Sequence, residues 1–105
     1  MRKHKVTWSS HALKGLSDIY SFVSYRFTPS IAEKVVNGIF EYADQLKHYP
    51  YSGPIETKLI PAEENCRYLV YKHTKILYQV KEKEHEVFIR DVFDVRQHIS
   101  KLKKT

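Results

Sequence analysis

Apolar residues follow two different rhythms along this chain. In the first half they recur every three or four positions. Ala12, Leu13, Leu16, Ile19, Val23 and Phe27 form one such series, and Ile31, Ala32, Val35, Val36, Ile39, Phe40, Ala43 and Leu46 form another. That spacing puts each series on one face of an α-helix. Ser9 or Ser10 stands where a helix N-cap is needed, because a hydroxyl there accepts a bond from an unpaired first-turn N–H. Thr28-Pro29 repeats the signal between the two series, with proline at a first helical position where its missing N–H costs nothing. Pro50 is expected to end the second helix, and YPYSGP reads as a turn. Two amphipathic helices separated by so tight a break fold back as a hairpin. Ahead of them, Val6-Thr7-Trp8 reads as a short strand.

After a stretch of mixed character from Ile55 to Asn65, the rhythm shortens to two. RYLVYKH, TKILYQVKE and EVFIRDVF are rich in β-branched and aromatic residues, with short connections near His73-Thr74 and Lys83-Glu84. Such connections make neighbouring antiparallel strands, so a meander is expected. Alternation assigns Ile76, Tyr78 and Val80 to the helix-facing side and Lys75, Leu77 and Gln79 to the open side. Arg67 is expected beside Lys75 on that open face, unless a bulge reverses the alternation. The helices must bury their stripes on one face of the sheet. The fold class is therefore α+β: an N-terminal strand and helical hairpin packed on a small antiparallel sheet, followed by a short C-terminal helix or tail.

At 105 residues the chain is read as one domain, spanning 1–105. Its formal charge of +6 turns attention to an acidic partner, either nucleic acid or protein. A single cysteine, Cys66, rules out an internal disulfide framework and fits a reducing cytoplasm. No apolar run reaches the roughly 20 residues of a membrane span. The basic MRKHKVTW start lacks the apolar stretch of a signal peptide. A soluble cytoplasmic protein is expected, with no membrane contact.

The six histidines show no H-x-x-x-H spacing and the lone cysteine has no pair, so no zinc site is expected. Three glycines form no phosphate-binding loop, and neither a cofactor nor a metal is expected. Eight tyrosines fit half-buried sheet positions better than base-stacking ones. The chemistry gathers instead in HEVFIRDVFDVRQHISKL, residues 85–102. Arg90 and Asp91 interrupt its strand, and a cross-strand ion pair at a sheet edge is the plain account of them. Asp94 and Gln97 match a helix-capping pattern. Arg96 follows Asp94, His98 has a pKa naturally near neutrality, and KLKK makes a solvated basic tail.

In order and spacing, VTWSSHAL, the hairpin closed by YPYSG, then RYLVY, KILYQV and VFIRDVFDVRQ resemble the RelE/ParE superfamily of bacterial type II toxins, including plasmid stabilisation proteins. The resemblance covers nearly the whole chain. It implies a small sheet against a helical hairpin, and a cognate antitoxin that wraps and neutralises the toxin. It also implies one of two activities. RelE-like members cleave messenger RNA on the ribosome without a metal, whereas ParE-like members inhibit DNA gyrase by binding it.

On the RelE-like pattern, Lys75 stands in the place of a middle-strand arginine and Arg96 in that of the C-terminal arginine. His98 would act as acid or base, and Arg67 would add a phosphate contact. Cleavage by a 2′-hydroxyl needs such a set: a proton acceptor, a proton donor and cations around the pentacoordinate phosphate. Lys75 lacks the planar fork of arginine, and no tyrosine follows Arg96. The expectation is a growth-arresting toxin acting as a ribosome-dependent mRNA endonuclease. The alternatives are a gyrase inhibitor and a non-toxic member of the superfamily.

Overall fold

The computed structural model describes residues 2–58 and 65–96. Its elements are β1 (Lys5–Trp8), α1 (Ser10–Arg26), α2 (Pro29–Asp44), a 3₁₀ turn (Gln45–Lys47), β2 (Arg67–Tyr71), β3 (Thr74–Lys81) and β4 (Glu86–Asp94). Ser9 is the N-cap of α1: its hydroxyl oxygen accepts from Ala12 N–H at 2.9 Å and donates to the Arg90 carbonyl at 2.8 Å. One side chain thus starts the helix and fastens that start to β4. Thr28 caps α2 by accepting from Ile31 N–H at 3.1 Å, with Pro29 in the first turn. The α2 helix tightens into the 3₁₀ turn at Gln45, several residues before Pro50.

The sheet order is β1-β4-β3-β2. Strands β2, β3 and β4 form the expected antiparallel meander, but β1 lies parallel to β4, with Lys5 opposite Glu86 and Trp8 opposite Ile89. The sheet is therefore mixed. A parallel neighbour requires a long crossover, and the α1–α2 hairpin is part of that excursion. The β2–β3 connection is Lys72-His73, with Lys72 at φ 55°, and the β3–β4 connection closes through His85, also at φ 55°.

One irregularity sets the faces. Leu77 pairs with Asp91 and Tyr78 with Ile89, so Arg90 is an extra residue bulged out of the ladder. The bulge shifts the alternation by one, and Val87, Ile89, Val92 and Asp94 all turn to the helices. There they join Ile76 and Tyr78 of β3, Leu16 and Ile19 of α1, and Ile39 and Ala43 of α2 in one core. Cys66 is buried just ahead of β2. The apolar stripes are wider than the core needs: Leu13, Phe27, Ile31 and Phe40 stay exposed at the margins of their helices. No described helix is long and apolar enough to cross a membrane.

The helical layer presses closely on β4. A Cβ added at Gly15 would lie 2.1 Å from the Val92 carbonyl oxygen, so the helix reaches this depth only because the position has no side chain.

Candidate functional site

The described basic candidates do not gather at one place. Register puts Lys75 opposite Val70 and Phe93, on the face away from the helices. Arg67 is opposite Tyr78, on the side of Leu69 and Tyr71, which pack against the core. The expectation of a shared open face for Arg67 and Lys75 is thus corrected. The difference arises in β2, where Tyr68 and Val70, rather than Arg67 and Leu69, share a face with Lys75.

Each of these cations is engaged. Lys75 forms an ion pair with Glu56, whose exposure is only 3%, and its ammonium lies 4.2 Å from the centroid of the Tyr68 ring. Glu56 also accepts from Lys58 N–H at 2.8 Å. This carboxylate comes from the stretch of mixed character before β2, and the sequence offered no periodic signal for its position. Arg67 donates from Nη1 to the Gly53 carbonyl at 2.7 Å, and its guanidinium stacks 5.1 Å from the Tyr51 centroid. It therefore braces the YPYSGP turn against β2. Tyr78 braces the same turn from below, its phenol oxygen accepting from Gly53 N–H at 3.0 Å.

Burial pushes the Tyr78 phenol above its ordinary pKa, against a smaller opposing effect from the Gly53 N–H. In the unfolded chain this phenol ionises near pH 10, whereas in the fold it ionises later. Its contribution is complete below about pH 10 and is lost as pH rises towards the folded value. Alkaline unfolding should therefore steepen above about pH 10 in the parent, and Tyr78→Phe should flatten that limb. At neutral pH the same substitution should lower stability by about 1–2 kcal/mol, because the Gly53 N–H loses its acceptor. Denaturant titrations across pH measure both.

Arg96 lies beyond the end of β4 and is bound to Asp94 by two side-chain hydrogen bonds, at 3.1 and 2.8 Å. The Asp94 carboxylate raises the Arg96 pKa further and holds the guanidinium charged. Asp94 also accepts from Arg96 N–H at 2.8 Å, so this nearly buried carboxylate caps the turn that begins there. Gln97, His98 and the KLKK tail lie outside the described residues. β4 runs between β1 and β3, but β1 pairs with it only as far as Ile89, so Arg90 and Asp91 lie just past that pairing, and they do not pair with each other across strands. Asp91 meets His11 at 3.4 Å, and Arg90 Nη1 reaches Cys66 Sγ at 3.5 Å.

A model of the ParE toxin of type II toxin–antitoxin systems, parDE, matches residues 6–99. The chain belongs to the ParE toxin family. Solved structures agree on the fold. The chromosomal ParDE system from P. aeruginosa superposes with a TM-score of 0.73 at 21% identity, covering 88% of this chain and 96% of that one. The E. coli RelBE complex gives 0.56 at 14% identity, covering 87% and 95%. RelBE2 from Mycobacterium tuberculosis gives 0.54 at 19% identity, covering 88% and 98%. No curated protein matches the sequence.

In this ParE-family toxin the apolar residues left over by the core border a groove of about 230 Å³. Val23 of α1, Phe27 just past its end, Ile31 and Val35 of α2, and Tyr71 line it, together with Asp94 and Arg96. Phe27 is 63% exposed there, a large apolar surface facing solvent.

Proposed function

We propose that this ParE-family toxin arrests growth by binding DNA gyrase rather than by cutting messenger RNA. The observation that carries the reading is the dispersal of its cations. Lys75 is tied to Glu56 on one sheet face, Arg67 is tied to the Gly53 carbonyl on the other, and Arg96 is tied to Asp94. An RNA-cleaving centre needs cations free to meet one phosphate, within reach of a proton acceptor and donor. Among the described residues that set is not assembled, which favours the binding alternative over the endonuclease read first from the sequence.

A cognate antitoxin is the second partner in this reading. The superposed structures from P. aeruginosa, E. coli and M. tuberculosis are toxin–antitoxin systems or complexes. A net charge of +6 suits an acidic antitoxin segment, and the exposed Phe27 and Ile31 supply apolar area for it to cover.

Plasmid supercoiling by purified gyrase tests the function. Added toxin should block supercoiling, while a translation extract given the same protein should show uncut mRNA. Cleaved mRNA together with unimpaired supercoiling would overturn the proposal and restore the endonuclease. Normal growth on induction, with neither effect, would identify a member without toxicity.

A further inference from the structure

The segment before β1 and the β3–β4 connection meet at a cluster of imidazoles and carboxylate that neither the fold nor the proposed gyrase contact requires. One ring nitrogen from His4, one from His85 and a carboxylate oxygen of Glu82 lie within 4.8 Å of one another. They open onto a cavity of about 560 Å³ that His48 and Tyr51 also line. We propose that His4, Glu82 and His85 form a binding site for a divalent transition-metal ion of borderline softness, with Zn²⁺ the best match.

The donor set is that of such ions: two imidazoles and one carboxylate, with a further position for water or for His48. Several features prepare it. His4 Nε2 lies 2.6 Å from Glu82 Oε1 as the donor of a hydrogen bond, and the two need only part to about 3.3 Å for an ion to replace that proton. That proton leaves to solvent or moves to Nδ1, and the His4 lone pair at Nε2 becomes available. His85 Nε2 contacts the Arg2 carbonyl at 3.1 Å, and a carbonyl only accepts. The His85 proton is thus on Nε2, which leaves Nδ1 as the ligating nitrogen with an oriented outer partner. Glu82 is ionised and doubly oriented: hydrogen bonds from His4 and then Tyr51 hold its carboxyl below the usual range.

Two features oppose the ion. The imidazoles are stacked, with centroids 4.0 Å apart and planes at 23°, so the rings must splay to aim at one centre. That motion is a rotation about χ2, a soft torsion. Arg2, Lys3 and Lys47 add positive charge around the cavity, although Lys47 is paired with Asp44 at 2.6 Å. Sequence spacing gives no sign of the site, because His4 and Glu82 are 78 residues apart and are joined only by the parallel placement of β1.

Full-length toxin without a polyhistidine tag, stripped with EDTA, provides the test. Calorimetric titration with Zn²⁺ should show one ion per chain, and Co²⁺ should give visible d–d absorption. His4→Ala and His85→Ala should each weaken binding by at least about tenfold, since even outer partners of a metal ligand are worth that much. His11→Ala, in the first turn of α1 beside Asp91 and outside the cluster, should leave it unchanged. Zn²⁺ should raise the melting temperature of the parent but not of His85→Ala, because a bound ion fastens the N-terminal segment to the hairpin. If the alanine variants misfold, imidazole ¹⁵N shifts in the parent still decide the matter. Zn²⁺ should move the resonances of His4 Nε2 and His85 Nδ1. No saturable binding, shifts only at histidines other than His4, His48 and His85, or equal affinity in folded His4→Ala and His85→Ala would each overturn the site.

Discussion

Gly15→Ala should destabilise the protein by about 2 kcal/mol or more, although alanine is the better helix former by about 1 kcal/mol. In an exposed helix the substitution would be a gain. Here the new methyl would stand 2.1 Å from the Val92 carbonyl oxygen, which is backbone of β4 where it pairs with β3. Neither side can yield alone: Val92 is laddered to Ile76, and the start of α1 is held to Arg90 by Ser9. The whole helix must lift, opening the contacts of Leu16 and Ile19 with the core. Gly38→Ala is the internal control. Its methyl would meet the Tyr71 hydroxyl at 2.3 Å, the far end of a side chain that can turn away. That variant should stay within about 1 kcal/mol of the parent, since the propensity gain offsets the shift. Urea midpoints of the pair measure the contrast, and equal midpoints would show that the helix does not rest on β4 at this depth.

Lys75→Met should cost about 3 kcal/mol, because a nearly buried Glu56 carboxylate loses the Lys75 ammonium. Growth arrest should fall with the folded population. Adding Glu56→Gln should recover most of the stability, since the charge that needed Lys75 has gone with it. The double variant separates two accounts of the lysine. If Lys75 serves the fold, toxicity returns with stability. If Lys75 acts on a phosphate, the double variant folds and stays inert. Urea titration beside growth on induction gives both readings from the same three proteins.

Local patterns carried most of the fold. The helical stripes, the Ser9 and Thr28 caps and the three meander strands are visible because each depends on residues a few positions apart. The parallel seat of β1 is a different kind of fact. A four-residue strand does not say which distant segment it joins, and only the whole packing decides it. The bulge left a trace that is readable afterwards: the spacing of Val87, Ile89 and Val92 breaks alternation at Arg90.

The candidate site was less legible for the same reason. Lys75 was identifiable as a cation on the outer face, but its neutraliser comes from a segment without periodicity. Arg67 lies on the opposite face from the one assigned to it. Arg96 stands just past the last strand, a position readable from the sequence, yet the Asp94 that caps the turn also occupies its fork.

The parallel pairing also governs when the molecule can exist. Ser9 and Arg90 are 81 residues apart, and among the described residues β1 pairs only with Glu86–Ile89. On a translating ribosome the first strand waits, unpaired, until nearly the whole chain has emerged from the exit tunnel. Contacts this distant in sequence also form slowly once they are available. Premature termination anywhere before β4 yields a chain whose first strand has nothing to join. A cell making this protein thus has an interval between initiation and completion in which the product is not yet dangerous.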